Sequence, residues 1–277
     1  MTVLLRLVAA LAVLAAGACE ACAESRVDVP YGPAGAENTL DVRYQPGAAK
    51  PLIVFAHGGG WQHGDKTPGT RLLAPSFSST TTFASVNYRL APSATIKDAA
   101  SDVARAIAYL EQHAADYAID PTRIVLMGHS AGAHLVALVA TDGSYLVQAG
   151  VAPPAIRGVV LLDCAGCDIE AFMERKPRNK TLRGLFGADR DSWRATSPVA
   201  LARSAAQIPP FMVTYSPDRP GSASDAQSLS TALATHCQGC VSKGYPKEHM
   251  SFVRDLANPD DAMTKDIRDF IKARLDR

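Results

Sequence analysis

The sequence predicts an α/β fold in which a mostly parallel central sheet is covered by helices on both faces. Short apolar runs such as residues 51–56 and 123–127 are typical of buried parallel strands. Helical patterns alternate with these runs to the end of the chain, as parallel sheets require. The chain has 277 residues, of which 47% are hydrophobic. One large domain of this size can bury a substantial core.

The elements follow from local patterns in chain order. Residues 27–29 and 40–44 are short alternating runs and predict an opening hairpin. Residues 98–115 place apolar side chains on one face and predict an amphipathic helix. The remaining patterns predict strands at residues 51–56, 123–127, 158–162, 211–215 and 241–245, and helices at residues 131–140, 223–235 and 261–275.

Ser130 is the first candidate for chemistry, because it stands in the segment GHSAG between a predicted strand and a predicted helix. In that setting a sharp turn projects a serine side chain above the carboxyl edge of a sheet as a nucleophile. Gly128 and Gly132 fit the turn, since a Cβ atom at either position would collide with the neighbouring strand or helix. The amide of Ala131 would point to the same space and stabilise an oxyanion. The alternative is an ordinary serine cap of a helix.

The segment HGGGW at residues 57–61 directly follows a predicted strand. Glycines there let the backbone approach a substrate and aim its amides at one point, as an oxyanion hole requires. Gly58 and Gly59 are therefore predicted to join the serine-loop amide as oxyanion donors. A flexible turn is the alternative, and a phosphate loop is disfavoured because no GxGxxG or GxxxxGK[ST] pattern occurs here. His57 is expected to hold the loop, and Trp61 either to line the substrate pocket or to pack.

Together, HGGGW, the segment VNYRL at residues 86–90 and GHSAGAHL at residues 128–135 resemble a known superfamily. They are similar to the carboxylesterase and hormone-sensitive-lipase-like side of the α/β-hydrolases, within it to small bacterial esterases and arylformamidase-like (BD-FAE-like) hydrolases. The resemblance covers nearly all of the chain after the first two dozen residues. It implies an α/β-hydrolase fold and a serine hydrolase that needs no cofactor.

The resemblance also bears on what surrounds the site. The residues before His57 predict strands, so we expect no large helical N-terminal cap of the kind that many hormone-sensitive-lipase relatives carry. Residues 165–210 are the one obvious long passage, and they contain several large apolar side chains. This passage is expected to form either a partial lid or helices packed on the sheet.

The general base should be a histidine, since the chain order in this fold is Ser, then Asp or Glu, then His. His134 lies one helical turn beyond Ser130, where packing is the expected role. His236 falls near the end of a helix that leads away from the carboxyl edge. His249 follows the last predicted strand, where the family keeps its catalytic histidine, and is our predicted base.

The acid of the triad is less sharply indicated. Asp218 lies in the loop after the predicted strand 211–215, where the family's acid sits, and is the first candidate. Asp225 is the alternative, although it could instead complement the dipole of the following helix. Asp163 is a third candidate at the end of the preceding strand, a position that some lipases use.

These residues predict hydrolysis of short-chain or aryl carboxylic esters through an acyl-enzyme. The alternatives are an arylformamidase-type amide hydrolase and, disfavoured because both Ser130 and His249 are present, a non-catalytic binding domain. The formal net charge is +1, which suggests no nucleic-acid or anionic-membrane partner. We expect a small-molecule ester as the partner and no metal.

Residues 1–23 predict a cleavable export signal. Arg6 precedes an apolar stretch at residues 7–16, and Ala21-Cys22-Ala23 has the A-x-A pattern that would leave Glu24 as the mature start. The alternative is a lipoprotein anchored through Cys19, because residues 16–19 resemble a lipobox. Either outcome predicts a periplasmic or secreted catalytic domain at residues 24–277, in membrane contact only if it is lipidated.

Two C-x-x-C pairs remain beyond the signal, Cys164/Cys167 and Cys237/Cys240. Such pairs can bind zinc. The predicted topology places the first pair near the carboxyl edge of the sheet and the second pair at the opposite edge, too far apart to share a metal. Two local disulfides are therefore expected in an oxidising compartment.

Overall fold

A computed structural model of the protein describes residues 23–276. Its strands are β1 (Glu24–Pro30), β2 (Thr39–Tyr44), β3 (Lys50–Ala56), β4 (Thr82–Val86), β5 (Ile119–His129), β6 (Ile156–Leu162), β7 (Phe211–Tyr215) and β8 (Val241–Gly244). Within the described residues they form one sheet in the order β1-β2-β4-β3-β5-β6-β7-β8. β2 pairs antiparallel with β1 and β4, and every other pairing is parallel. The predicted α/β-hydrolase fold is confirmed.

The helices lie between successive strands from β3 onward, and the last two follow β8. They are α1 (Ala74–Phe77), α2 (Ile96–Gln112), α3 (Ala131–Thr141), α4 (Ser144–Ala149), α5 (Ile169–Glu174), α6 (Lys180–Phe186), α7 (Arg190–Arg194), α8 (Pro198–Ala202), α9 (Pro220–Leu233), α10 (Ser251–Arg254) and α11 (Ala262–Leu275). Residues 165–210 therefore hold four short helices, α5 to α8. No helix among residues 23–276 is long and apolar enough to cross a membrane.

The core lies on both faces of the sheet, which explains the continuous apolar runs in the sequence. Leu52 and Val54 of β3 face the cluster that contains α2 and α3, whereas Ile53 and Phe55 face the cluster that contains α10 and α11. All four side chains are at most 1% exposed. A strand buried on both faces has no polar side to alternate with.

The parallel strands bring the ends of β3, β5, β6 and β7 to one edge of the sheet. The first residues beyond these ends are His57, Ser130, Asp163 and Ser216. Residues that are far apart in the sequence therefore meet at this carboxyl edge, where open α/β sheets bind their ligands.

The cysteines pair locally, Cys164 with Cys167 and Cys237 with Cys240. The first disulfide follows β6 at the carboxyl edge. The second lies at the opposite edge, where the Cys240 Sγ atom accepts a hydrogen bond from the Phe211 amide at the start of β7, at 3.1 Å. The predicted export signal and the lipobox cysteine, Cys19, fall within residues 1–22, outside the described part of the chain.

Candidate active site

Ser130 occupies a sharp turn between β5 and α3. Its backbone has φ +55° and ψ −117°, a conformation that a non-glycine residue adopts only when the surrounding structure enforces it. A Cβ atom on Gly128 would overlap the carbonyl of Gly132, and one on Gly132 would overlap the carbonyl of Ala56. Both glycines are therefore required by close backbone packing, as predicted from the sequence.

The hydroxyl of Ser130 is not used to stabilise the helix that follows it. Ser130 holds the N-cap position of α3, but within the described chain its side chain makes no capping hydrogen bond. Its amide donates to the carbonyl of Leu162 at 3.0 Å, which ties the turn to the end of β6. The serine is thus held rigidly at the amino end of a helix, where negative charge is stabilised.

The glycine loop after β3 lies against this turn. A Cβ atom on Gly58 would stand 3.2 Å from the Ser130 Cβ and 2.7 Å from Nδ1 of His129, so only a glycine backbone fits so closely to the serine. Gly59 has φ +130° and Gly60 has φ +61°, conformations that favour glycine. The structure thus brings the predicted oxyanion loop next to Ser130.

His57 anchors the loop from below. Its ring is 3% exposed and stacks on the Tyr88 ring with centroids 4.4 Å apart. The Tyr88 hydroxyl donates to the His57 carbonyl at 2.8 Å. Burial lowers the pKa of His57, so the imidazole is neutral. These contacts match the holding role expected for this residue.

Trp61 is a packing residue in the structure. Only 2% of it is exposed, and its indole makes edge-to-face contacts with His134, Phe172 and Phe186 at centroid distances of 5.4, 5.7 and 5.0 Å. It therefore joins the glycine loop to helices α5 and α6. The expected substrate-lining role is corrected to its alternative, because a side chain this buried has no open face.

His249 lies in the loop between β8 and α10, beside the serine turn. Its carbonyl accepts a hydrogen bond from Nε2 of His129 at 3.0 Å, and the two imidazole rings are 4.4 Å apart. His129 immediately precedes Ser130. The structure therefore brings together Ser130 and His249, the two residues that the sequence singled out as nucleophile and base.

The carboxylate that contacts His249 is Asp163, not Asp218. Oδ2 of Asp163 lies 2.5 Å from Nδ1 of His249. Asp218 is exposed in the loop between β7 and α9. Our first choice of acid is thereby corrected, because this loop brings Arg219 rather than Asp218 to His249.

Asp225, the second choice, has a different set of partners. It is 2% exposed in α9 and accepts hydrogen bonds from the Arg175 guanidinium at 2.8 Å and from the Gly166 amide at 2.9 Å. Burial raises the pKa of Asp225. This carboxylate fastens the segment after β6 to α9, which is a structural role.

Asp163 is fully buried and is surrounded by donors. Besides His249, it accepts from the Ser216 amide at 3.2 Å, from the Ser222 hydroxyl and from Nη1 of Arg219. A buried carboxylate needs such partners, because water no longer solvates it. Arg219 and Ser222 were not predicted from the sequence. The signal that could have pointed to them is their place after β7, Arg219 at the end of the loop and Ser222 in the first turn of α9.

His249 is neutral near pH 7. Burial lowers its pKa to about 4, and the nearby Arg219 charge contributes to the shift. His129 and His134 are also held neutral, with pKa values of about 3 and about 4 that result from burial. His134 Nε2 donates to the Thr196 carbonyl at 2.8 Å. A neutral His249 is free to accept a proton, whereas His134 has the packing role expected of it.

The site offers side chains for nucleophilic chemistry. Across residues 23–276, no group of three or more His, Cys, Asp or Glu side chains is arranged to hold a metal ion. What the carboxyl edge presents is a strained serine, a neutral histidine held by a buried carboxylate, and a glycine backbone against the serine.

Comparison with known proteins identifies the family of this chain. Residues 40–218 match the protein-family model described as BD-FAE, which is more than half of the chain. The chain belongs to the BD-FAE family. Ser130 and Asp163 both lie inside the matched region, and His249 lies beyond its end.

This BD-FAE chain is similar in sequence to two curated relatives. It is 31% identical to Esterase LipQ of Mycobacterium tuberculosis over 246 residues, covering 83% of this chain and 57% of LipQ. It is 34% identical to kynurenine formamidase of Danio rerio over 143 residues, or 50% of this chain and 45% of that protein. The chain thus spans about half the length of these relatives.

The fold is shared with Esterase B from Lactobacillus rhamnosis. That structure superposes with a TM-score of 0.74 over 92% of this chain and 85% of the other, at 18% sequence identity. At this identity the likeness concerns the fold of the BD-FAE chain.

Proposed function

We propose that this protein is a serine hydrolase that cleaves short-chain or aryl carboxylic esters through an acyl-enzyme. The observation that carries the proposal is the position of Ser130, on its strained turn, at the same edge of the sheet as the His249–Asp163 pair, with His249 hydrogen-bonded to the neighbouring His129. Membership of the BD-FAE family and the similarity to Esterase LipQ support it.

The reaction follows from the roles of the residues. His249 takes the proton of the Ser130 hydroxyl as its oxygen bonds to the carbonyl carbon of the ester. Asp163 holds the imidazole through Nδ1 and stabilises the imidazolium that forms. The amides of Gly58, Gly59 and Ala131 stabilise the tetrahedral oxyanion. His249 then gives the proton to the leaving alcohol as the bond between the carbonyl carbon and the alcohol oxygen breaks. Water attacks the acyl-enzyme with His249 as its base, and His249 returns the proton to Ser130 as the acid leaves.

An arylformamidase activity is the second candidate. The observation in its favour is the 34% identity to kynurenine formamidase over half of this chain. The same serine, base and oxyanion donors would serve a formamide, with an amine in place of the alcohol as the leaving group.

Substitution of the nucleophile tests the proposal. We expect Ser130→Ala to lower the hydrolysis of p-nitrophenyl acetate and butyrate by about 10⁴-fold or more, since loss of the attacking oxygen removes the acyl-enzyme route. Ser204→Ala, at an exposed serine far along the chain in the α8–β7 loop, serves as the matched control and should keep full activity. A Ser130→Ala protein with wild-type rates would overturn the proposal.

A substrate panel separates the two candidates. The wild-type protein is given p-nitrophenyl esters, methyl ferulate and N-formylkynurenine, and kcat/KM is compared. Higher values for the esters support the primary proposal. A kcat/KM for N-formylkynurenine far above that of every ester would assign the formamidase activity instead.

We also propose that the protein is exported, either cleaved before Glu24 or lipidated at Cys19. The two local disulfides support an oxidising compartment. Mass spectrometry of the mature N-terminus after expression in a bacterial host distinguishes the two routes. A cytosolic protein that retains Met1 would contradict both.

A further inference from the structure

Arg219 lies inside the catalytic cluster, although the reaction as derived above gives it no task. It is the residue directly before α9, at the end of the loop that follows β7. Its Nη1 atom donates to Oδ2 of Asp163 and lies 2.6 Å from Nδ1 of His249. A single guanidinium nitrogen thus touches both the acid and the base.

The contact with Asp163 joins a partly exposed side chain to a buried one. Asp163 is fully buried, whereas 43% of the Arg219 side chain is exposed. The amide of Arg219 donates to the Ser216 carbonyl at 3.3 Å, and that of Ser216 donates to Asp163. The loop after β7 therefore binds the same carboxylate through its backbone at one end and through a charge at the other.

Resting on the proposed function, we propose that Arg219 is a positioning residue of the triad. Its guanidinium orients the Asp163 carboxylate toward His249 and places a positive charge beside the imidazole. Arg219 itself contacts no reacting atom in this scheme, and it acts through these two residues.

Among the titratable groups that face His249 in the described chain, Arg219 is the one that carries a positive charge. The titratable groups that face the imidazole are His129 from the end of β5, Asp163 from the end of β6, and Arg219 from the loop after β7. On its own loop, Glu248 is exposed to solvent. His129 is neutral because burial lowers its pKa to about 3, so the guanidinium is the cation that opposes formation of the imidazolium.

The consequence is a site that keeps its base free at low pH. A nearby positive charge disfavours protonation of a histidine, and so lowers its pKa; for His249 the pKa is about 4, with burial as the larger cause and Arg219 as the next. Because only neutral His249 can accept the proton of Ser130, Arg219 extends activity toward acid. Its removal should move the acid limb of the activity profile to higher pH.

The test is the pH dependence of kcat/KM on p-nitrophenyl acetate. We expect Arg219→Gln and Arg219→Met, which both remove the charge, to shift the acid limb upward by about one pH unit. Arg219→Lys keeps the charge, so its acid limb should stay close to that of the wild type. Lys176→Gln is the matched control, because Lys176 is an exposed cation that lies over the Phe172 ring, and its profile should coincide with that of the wild type.

Two results have different meanings. If the wild type hydrolyses the ester, Ser130→Ala does not, and the charge-removing variant that folds, as judged by thermal melting, keeps the wild-type acid limb, then the role of Arg219 is refuted while the proposed function stands. If the wild type shows no hydrolysis, the proposed function itself fails. A structural role alone would lower the melting temperature without moving the limb.

Discussion

At the scale of single residues, the site depends on one buried charge. Asp163 has φ +50°, which turns its side chain from the end of β6 toward the loop after β7. Its amide donates to the Thr214 carbonyl at 2.9 Å, so the strained backbone is fixed to the neighbouring strand. The carboxylate is thereby presented to His249 before any substrate arrives, which is the preorganisation that electrostatic catalysis requires.

Replacing this charge should disable the base. Asn at position 163 keeps the shape of the side chain, but can no longer hold the His249 tautomer with Nδ1 protonated, so we expect Asp163→Asn to lower kcat by about 10⁴-fold. Asp218→Asn changes an exposed carboxylate of the adjacent loop and is the matched control. Steady-state kinetics on p-nitrophenyl acetate measure both. Equal losses in the two variants, or loss only in Asp218→Asn, would contradict the assignment.

The choice between these aspartates could not be made from the sequence. Asp163 and Asp218 both follow apolar strands and both stand at the carboxyl edge, so periodicity and chain order favour neither on physical grounds. The course of the loop at residues 216–219 decides which aspartate contacts His249. It brings the Arg219 guanidinium to Asp163 and leaves Asp218 in solvent. Ser130 could be predicted from its strand–turn–helix motif. His249 could be predicted because, of the three histidines after Ser130, it is the one that follows the last predicted strand.

At the scale of elements, the segment between β6 and α5 is held from several directions. The Ala165 amide donates to the Ser130 carbonyl at 3.3 Å, and the Gly166 amide donates to Asp225 at 2.9 Å. The Cys164–Cys167 disulfide closes the same segment directly after Asp163. This local cross-link therefore stabilises the backbone from which Asp163, the proposed acid, projects.

Removal of the first disulfide should therefore lower the activity more than removal of the second. A small misplacement of a catalytic group is costly, so we expect the double variant Cys164→Ser/Cys167→Ser to lose about tenfold or more in kcat/KM. Cys237→Ser/Cys240→Ser, at the opposite edge of the sheet, should keep its kcat/KM. Both double variants should lose about 2 kcal/mol of the free energy of unfolding, since both release loops of equal length. Equal kinetic losses would show that the position of the first disulfide is irrelevant.

Most of the longer elements were predictable, whereas β4, α1, α4 and the helices of residues 165–210 were not. α2 was indicated within a few residues by its amphipathic pattern, and α11 by the last helical pattern of the chain. In the structure, Thr95 and Asp261 cap the N-termini of these helices with side-chain hydrogen bonds. Residues 165–210 were not resolved into α5 to α8 from the sequence. Helices this short have little periodicity to detect, and their stability comes from tertiary contacts such as those of Phe186 with Trp61.

At the scale of the whole molecule, the fold keeps several histidines neutral inside the protein. His134 is fully buried between α3, Trp61 and Phe186, and its pKa is about 4 because of burial. In the unfolded chain a histidine accepts a proton at about pH 6.5. The unfolded state therefore binds more protons as the pH falls below that value, and the stability present above it is lost toward the folded-state pKa.

Stability should accordingly fall in mild acid, in part through His134. Each such histidine contributes a slope of about 1.4 kcal/mol per pH unit between its folded and unfolded pKa values. We expect His134→Gln to reduce the slope by about this amount, as measured by urea unfolding between about pH 6 and about pH 4.5. His63→Gln, at an exposed histidine, is the matched control. A slope unaffected by His134→Gln would show that this imidazole is charged in the folded state.

A mostly parallel sheet buried on both faces could be anticipated from alternating strand and helix patterns, because a parallel sheet demands them. The strand order, in which β4 lies between β2 and β3, could not. The carboxyl edge then follows from topology alone. The sequence patterns do not show that side chains at the ends of β5 and β6 meet those of the loops after β7 and β8. This meeting depends on the directions of the loops, and loop directions leave no periodic pattern in the sequence.

Covalent labelling of the nucleophile tests the central claim most directly. The wild-type protein is treated with a serine-directed phosphonate, and the modified residue is identified by peptide mass spectrometry while ester hydrolysis is followed in parallel. The account predicts one adduct, on Ser130, that appears at the rate at which hydrolysis is lost, and no adduct on Ser130→Ala. Complete loss of hydrolysis with Ser130 unmodified would contradict it.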